Sequence, residues 1–566
     1  MVKHLLGVFN KEIHGLEAVA FLISFFVFLS QLLGLLRDRA LAHYLGTSRA
    51  LDIYYAAFRV PDFLFVSLAS LVSINVLIPF FLSCLEKSKP EAHRFMNNIF
   101  TAFLIIMIAV SAIVFIIVPI LAPLIAPGFN SIEQGELINL IRIMMLSPIL
   151  MGLSNLFGTV TQIFRKFFVY ALSPVFYNLG IVIGVLVFYP LWGLNGLALG
   201  VVLGALFHFL IQVPAVVKSG FLPHFVRNIN WLEIKEVILV SVPRALGLAL
   251  NSFALLVIVA IASTLSSGSI SIFNFAKNLQ AVPLGLIGIA FSVAAFPTLS
   301  RLSAQQAGLA NEEHLQKFTK HFETAARQII FWALPASFLF IVLRAQIVRV
   351  ILGSGQFSWS DTQLTAASVA IFSVSILAQS LLLLTVRSFY AAGETRRPLI
   401  VNVISTGIII VLSFVFLKIF HESSAIQEFF ESLLRVRGLT GTEVLVLPLA
   451  YSLGTIINAL WLLFVFRKNF LKTGKSFLRV IFFQIFMVSL VGALVTYIGL
   501  NVFSRVFDLS TFSGVFWQGL VSGILGIAAG MAVLRYTGNP ELKAVVRVLK
   551  TRFSKLSPFG PSSEEL

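Results

Sequence analysis

Fourteen apolar stretches recur along this sequence, each long enough to cross a lipid bilayer, and they limit the fold more than any other feature. A transmembrane helix needs about 20 apolar residues, and its backbone polar groups must be hydrogen-bonded within the segment. The pattern therefore predicts an all-α polytopic membrane protein with about fourteen transmembrane helices. The predicted spans are residues 17–36, 53–84, 97–123, 138–163, 168–190, 193–217, 236–264, 270–298, 328–346, 363–386, 398–419, 443–466, 477–501 and 513–534.

The composition is that of a chain whose main solvent is lipid. Hydrophobic residues make up 58% of the 566 residues and charged residues 11%, whereas a soluble domain carries about 25% charged residues. The single cysteine, Cys84, excludes an internal disulfide and a cysteine-based metal cluster. No two histidines have a metal-ligand spacing with carboxylates nearby, and there is no Walker A pattern. We therefore expect no enzyme activity, and no catalytic residues, bound metal or cofactor.

The positive charges alternate from one predicted connection to the next. With a cytoplasmic N-terminus, 28 of the 41 Lys and Arg residues fall in cytoplasmic segments and 9 in outer segments, which is the positive-inside pattern. The remaining four, Arg59, Arg142, Arg244 and Lys277, lie inside predicted spans. The anionic cytoplasmic leaflet accounts for the net charge of +17, so membrane lipids and not nucleic acid are the expected partners. The pattern predicts a multi-pass membrane protein with both termini cytoplasmic.

The sequence also contains two copies of a six-helix pattern. Four local matches recur at offsets of 222, 218, 228 and 224 residues, and the six crossings between them give both copies the same orientation. Parallel repeats place a substrate site at their interface near the bilayer midplane. The matches are Val60-Pro61 with Val282-Pro283, Ile78-Pro79 with Phe296-Pro297, 127–131 with 355–358, and Pro174 and Asn178 with Pro398 and Asn402. They predict an N-terminal lobe at 1–220 and a C-terminal lobe at 221–470, followed by two further helices at 471–536 and a basic cytoplasmic tail at 537–566.

Two connecting segments have the period of amphipathic helices. Segment 302–327 predicts a cytoplasmic helix that lies on the membrane between the lobes. Segment 420–442 predicts a short surface helix in an outer loop. The residues of its apolar patch are Phe429, Phe430, Leu433 and Leu434.

Five motifs carry a likeness to a known family: LGLLRD at 33–38, LDIYYAAFRVP at 51–61, GLALGVVLGA at 196–205, PRALGL at 243–248 and FYAAGETRRP at 389–398. They resemble the MurJ (MviN) family of the multidrug/oligosaccharidyl-lipid/polysaccharide exporter superfamily. The resemblance implies a flippase that moves lipid II, the undecaprenyl-pyrophosphate-linked peptidoglycan precursor, across the inner membrane by alternating access for cell-wall synthesis. It further implies two six-helix lobes around a central cavity, and a groove at 471–536 for the polyprenyl tail. We expect the chain to act as a monomer.

The charges inside the predicted spans are the candidates for binding an anionic lipid headgroup. A cation at the bilayer centre costs about 2.5–3.5 kcal/mol on insertion scales and so needs a reason, and guanidinium and ammonium groups both bind phosphate. The resemblance adds Ser271, which matches the family, and Gln31 and Asn278, which stand where most members have Arg. The predicted substrate-binding residues are Arg37, Arg59, Asp38, Asp52, Gln31, Ser271, Lys277 and Asn278.

Other interpretations stay open at this point. Arg59 could pair with Asp62 or Asp52 to hold the second helix in place, and Arg37 could simply end the first helix at the interface. The cargo could be another lipid-linked oligosaccharide, such as a polysaccharide repeat unit, or a drug, and a scaffold without transport is a third class. Beyond Glu236 at the first position of span 7, predicted spans 7, 8, 10 and 11 contain no Asp or Glu, which counts against an ion site there. The energy source, membrane potential or a monovalent ion, also stays open.

Overall fold

The computed structural model describes residues 16–69, 74–306, 312–470, 477–543 and 545–547, and these residues form helices and short connections without a strand. The all-α prediction is therefore confirmed. The first seven α-helices span residues 16–183, with a π-helical segment at Phe65–Ala69. They are α1 (Leu16–Leu45), α2 (Arg49–Leu64), α3 (Ile74–Lys87), α4 (Lys89–Ile125), α5 (Ser131–Met144), α6 (Leu146–Ile163) and α7 (Phe167–Ile183).

The remaining helices continue the same pattern to the end of the described chain. Two further π-helical segments, Gly184–Phe188 and Leu284–Ile289, and a 3₁₀ turn at Thr442–Leu445 interrupt them. These helices are α8 (Tyr189–Trp192), α9 (Leu194–Leu210), α10 (Val213–Ser219), α11 (Trp231–Ser263), α12 (Ser269–Pro283), α13 (Ala290–Gln306), α14 (Glu312–Val342), α15 (Arg344–Leu352), α16 (Trp359–Val374), α17 (Ile376–Ala391), α18 (Arg396–Glu422), α19 (Ser424–Leu434), α20 (Val446–Phe470), α21 (Phe477–Phe503) and α22 (Phe512–Tyr536).

Most of the predicted spans coincide with helices that can cross a bilayer. In the described part of the chain, 11 helices are long and apolar enough, or 12 if α16 and α17, which meet at a bend of 45°, form one span. These match the third to the fourteenth predicted stretches. The first two predicted stretches fall on α1 and on the run from α2 to α3, within which 70–73 lie outside the described residues. The total of fourteen crossings stays a prediction.

The helices pack into two compact units. The first unit comprises Met1–Val282, Ile351–Ser368 and Glu394–Asn458, and the second comprises Pro283–Val350, Val369–Gly393 and Ala459–Leu566. These units reflect packing, whereas the predicted lobes reflect the sequence repeat, and the lobe boundaries stay a prediction. The repeat has a local counterpart, because Val60-Pro61 and Val282-Pro283 are both followed within a few residues by a π-helical segment.

Segment 302–327 differs from the separate surface helix that its periodicity predicts. Its first residues end α13, its later residues begin α14, which continues without a break to Val342, and 307–311 lie outside the described part. Phe318 and Phe322 are buried in the second unit, where their rings pack against Phe466 at centroid distances of 6.3 and 4.4 Å. The apolar face is thus covered by protein and not by the membrane surface, a choice that periodicity alone cannot make.

Candidate substrate-binding site

A polar cluster in the first unit contains most of the predicted site residues, beginning with a neutralised pair on α1. Asp38 is 2% exposed, and its Oδ1 accepts hydrogen bonds from Arg37 Nε at 3.0 Å and Nη2 at 2.8 Å. Asn278 on α12 donates to the other oxygen of Asp38 at 2.9 Å, and Arg37 also donates to Asn178 Oδ1 on α7 at 3.4 Å. This two-point contact on one carboxylate balances the charge of Arg37. The helices α1, α7 and α12 are thereby tied together.

The second cation, Arg59 on α2, has a neutral partner. Its Nη2 donates to Asn274 Oδ1 on α12, and its Nε is buried without a hydrogen-bond partner in the described part of the chain. Within the described ranges it forms no ion pair with Asp52 or Asp62, although its charge interacts with that of Asp62. The guanidinium of Arg59 is therefore half-buried, without a carboxylate in hydrogen-bonding contact, and short of one acceptor. An acceptor-rich anion would satisfy that unmet donor.

Lys277 on α12 supplies the third cation. The side chain is half-buried, and its charge interacts with those of Arg59 and Asp62. No ion pair is formed by Lys277 or Asp62 within the described ranges. The cluster thus holds three cations, Arg37, Arg59 and Lys277, and two carboxylates, Asp38 and Asp62, which leaves one positive charge in excess.

Asp52 and Ser271 form a structural contact apart from these cations. The fully buried Asp52 carboxylate accepts hydrogen bonds from the backbone N–H groups of Gly268 at 2.7 Å and Ser271 at 2.8 Å, and from the Ser271 hydroxyl at 2.7 Å. The carboxylate therefore caps the N-terminus of α12, where backbone N–H groups lack partners and the helix dipole favours a negative charge. Both side chains are enclosed by protein, so direct substrate contact, predicted for both, does not fit their position.

Other residues bear on the site less directly. Gln31 is half-buried on α1, and its side-chain oxygen has no partner among the described residues. Arg142 donates from Nε to the Phe115 carbonyl at 3.2 Å and belongs to a different helix pair. The side chain of Arg244 lies outside the described part.

Sequence reasoning missed the neutral amides that organise the cluster. Asn178 and Asn274 receive hydrogen bonds from Arg37 and Arg59. Asn178 was visible as part of the repeat with Pro174, but nothing in its spacing assigned it to a site. Tyr54, Tyr55 and Tyr177 also lie near Arg37. Aromatic residues in a span do not reveal by themselves which way they face.

Comparisons with known proteins agree on one family. A family model described as "Lipid II flippase MurJ" matches residues 41–516. Curated proteins named "Probable lipid II flippase MurJ" include one from Rickettsia prowazekii, 25% identical over 68% of this chain and 75% of the relative. Another, from Bdellovibrio bacteriovorus, is 28% identical over 70% of this chain and 76% of the relative.

Solved structures show the same fold. The structure titled "Lipid II flippase MurJ, inward closed conformation" matches with a TM-score of 0.72 and 22% identity, covering 91% of this chain and 98% of that one. An inward-facing multidrug resistance MATE family transporter of the MOP superfamily matches with a TM-score of 0.61 and 14% identity, over 79% of this chain and 96% of that one.

Proposed function

The chain belongs to the lipid II flippase MurJ family, and we infer from that membership that it moves lipid II across the inner membrane as a transporter and not as an enzyme. It is a multi-pass inner-membrane protein whose substrate is linked to a lipid. The precursor carries an undecaprenyl pyrophosphate, so any protein that carries it must bind a dianionic or more highly charged group at a depth where water is scarce. Its transport serves cell-wall synthesis.

The observation that carries the proposal is the excess positive charge on α2 and α12, where two cations share the single carboxylate of Asp62 without an ion pair. Arg59 is hydrogen-bonded to the neutral Asn274, and Lys277 has no ion pair in the described part of the chain. A buried or half-buried cation without a carboxylate partner is destabilising unless a bound anion supplies the missing charge. Arg59 and Lys277 are therefore the residues proposed to bind the pyrophosphate, while Arg37 is already balanced by Asp38.

The remaining parts of the mechanism are proposed on the same basis. The chain works as a monomer by alternating access between lobes at 1–220 and 221–470, with the polyprenyl tail in a groove formed by 471–536. Both termini are cytoplasmic. Moving one charge through the membrane potential is worth about 2.3 kcal/mol per 100 mV, so the excess positive charge of the cluster offers a means of coupling transport to that potential.

Complementation tests this function directly. In a strain depleted of its own lipid II flippase, we expect the intact chain to restore growth, and Arg59→Ala and Lys277→Ala to lose most of that activity. One charge-assisted hydrogen bond is worth about 1.5–3 kcal/mol, so each loss should lower the transport rate roughly ten- to hundredfold. Lys277→Arg keeps the charge and should retain more activity than Lys277→Ala.

Arg505→Ala is the matched control, because Arg505 is an exposed cation between α21 and α22, in the second unit, and is not part of the cluster. It should complement like the intact chain, with equal amounts of each variant in the membrane. An intact chain that is present at normal levels but does not restore growth would point to another lipid-linked oligosaccharide as the cargo. Full activity of both alanine variants would instead contradict the role of Arg59 and Lys277 while leaving the cargo in place.

A further inference from the structure

The short helix α19 shows three distinct faces. A single residue, Ser423, separates the end of the spanning helix α18 from the start of α19. Ser423 is the N-cap of α19, and its hydroxyl accepts a hydrogen bond from the N–H of Ile426 at 3.4 Å. Its start is therefore held at the level where a bilayer-crossing helix leaves the hydrocarbon. Each residue turns the helix by about 100°, so its residues fall into a sector that faces protein, an apolar sector and a polar sector.

The protein-facing sector is anchored by polar groups. Glu431 is 7% exposed and Leu434 is buried beside it. Glu431 Oε1 accepts hydrogen bonds from the Thr442 hydroxyl at 2.7 Å and from Gln427 Nε2 at 2.8 Å. Because these partners come from α19 and from the following 3₁₀ turn, the orientation of the helix is fixed within its own unit.

The apolar sector faces away from the protein. Ile426, Phe429 and Leu433 are 39%, 62% and 61% exposed, and their spacing of three and four residues aligns them in one stripe. Ser424, Glu428 and Ser432 form a separate exposed polar sector. A surface helix bathed in water buries its apolar stripe and exposes its carboxylates. α19 instead buries Glu431 and exposes a phenylalanine and two branched aliphatic side chains.

From this arrangement we propose that α19 is an interfacial helix whose Ile426–Phe429–Leu433 stripe inserts into the acyl region of the bilayer leaflet at which α18 ends. The preceding helix α18 also has exposed apolar side chains, and Val411 and Phe414 are 59% and 55% exposed, as a span that contacts lipid requires. The polar sector with Glu428 then lies toward water. Such three-way division between protein, lipid and water is what an amphipathic helix docked at a membrane interface requires.

Two exposed ion pairs lie near the ends of α19. Lys418, near the end of α18, pairs with Glu422 at 3.7 Å, and Arg437, beyond the end of α19, pairs with Glu428 at 3.5 Å. The second pair adds a charge to the polar sector, apart from the apolar stripe. This inference concerns an anchoring surface outside the polar cluster, and it holds whatever headgroup the chain carries.

Site-directed fluorescence in lipid tests the insertion. Cys84→Ser removes the sole cysteine. Single cysteines are then introduced in three variants, Phe429→Cys, Ser432→Cys and Val411→Cys. Each variant is labelled with an environment-sensitive fluorophore and reconstituted into phosphatidylethanolamine–phosphatidylglycerol nanodiscs. The label at position 411 on α18 reports a lipid-facing site within a span. The label at position 432 reports a water-facing site on α19, the helix that also carries position 429. We expect position 429 to emit at shorter wavelength than 432 and to be quenched at least several-fold more strongly by lipids brominated near the head of the acyl chain.

Position 411 also verifies that the labelled protein is folded in the bilayer, because it should be quenched most strongly by bromines deep in the chain. If position 429 matches 432 in emission and is quenched by a water-soluble quencher instead, the helix lies outside the membrane and the proposal is overturned. If position 429 is shielded from both quenchers, a second copy or another protein covers the stripe, and the proposal is equally overturned.

Discussion

At the scale of single residues, Arg142 compensates for a proline in the neighbouring helix. Pro119 lies inside α4 and has no N–H group, so it leaves the carbonyl of Phe115, four residues earlier, without its helical hydrogen bond. Arg142 Nε donates to that carbonyl at 3.2 Å, and its guanidinium lies 4.9 Å from the centroid of the Phe115 ring. A cation inside a predicted span therefore has a structural role in place of a substrate role.

The expected consequence is a coupling between positions 142 and 119. Arg142→Met removes the donor and the cation–π contact and should destabilise the protein by about 1–2 kcal/mol, measured as a lower melting temperature in detergent. In a Pro119→Ala background the backbone N–H returns, and the same substitution should cost less. Equal losses in both backgrounds would show that Arg142 does not act through this carbonyl.

A second prediction concerns the buried cap at Asp52. Asp52→Ala leaves the N–H groups of Gly268 and Ser271 without an acceptor, at about 1–3 kcal/mol for each buried unsatisfied group. Asp52→Asn keeps one acceptor oxygen and should be milder. Ser271→Ala removes only the hydroxyl donor and serves as the control with the smallest effect. The melting temperature should be lowest for Asp52→Ala, higher for Asp52→Asn and highest for Ser271→Ala. An Asp52→Ala variant as stable as Ser271→Ala would contradict the cap.

The site could be predicted from sequence only as far as charge is concerned. Arg37, Arg59 and Lys277 stand out because cations are rare in spans, and Arg37, Arg59 and Asn278 do meet in one cluster with Asp38. The sequence cannot show that Asp38 neutralises Arg37 or that Asp52 turns toward the end of α12. Those outcomes depend on helix rotation and crossing, which neutral partners such as Asn274 help to set.

At the scale of helices, glycines allow one crossing to be unusually close. Along α7, the π-helical segment after it and α9, a Cβ on Gly180 would lie 2.3 Å from the Cα of Gly204, and one on Gly184 would lie 2.5 Å from the Cα of Gly200. Backbones can approach to this degree only where both helices carry glycine, and small residues at such contacts allow spanning helices to pack through van der Waals contact.

A matched pair of substitutions separates this packing from helix propensity. Gly200→Ala forces the two backbones apart and should lower the melting temperature and the folded yield, with a loss of about 1–3 kcal/mol for overpacking. Gly407 on α18 has open space where a Cβ would stand, so Gly407→Ala should be neutral or stabilising by roughly 0.5–1 kcal/mol. Opposite signs are expected, measured in the same detergent. Two equal effects would mean that propensity, and not the crossing, decides.

Helix positions followed largely from hydropathy because lipid imposes the same requirement on every span. The breaks within spans could not be predicted from hydropathy. The π-helical segments at Gly184–Phe188 and Leu284–Ile289 lie within apolar runs that have no interruption in the sequence. The proline at Pro283 marks one of them in hindsight. The path of α14 was also hidden, because Phe318 and Phe322 have the same period whether they meet lipid headgroups or the phenylalanines of α20.

At the scale of the whole molecule, the charge distribution predicts one orientation. If the crossings number fourteen, the termini share a side, and the 28 to 9 division of Lys and Arg puts that side in the cytoplasm. A fluorescent protein fused to the C-terminus should therefore fluoresce. Alkaline phosphatase, which is active only after export, should be active when inserted after Gly438 and inactive when inserted after Lys87.

The same reporters test the number of crossings after Lys87 as well as the direction. An active phosphatase after Lys87 together with an inactive one after Gly438 would reverse the topology and place α19 at the cytoplasmic leaflet. A dark C-terminal fluorescent protein with an active phosphatase after Gly438 would instead mean an even number of crossings between Gly438 and the C-terminus, where α20, α21 and α22 predict three. These reporters do not count the crossings made by α1 or by the run from α2 to α3, where Arg37 and Arg59 lie, because both come before Lys87. A phosphatase inserted after Thr47, between α1 and α2, does so: activity there together with inactivity after Lys87 would show that the run from α2 to α3 crosses once.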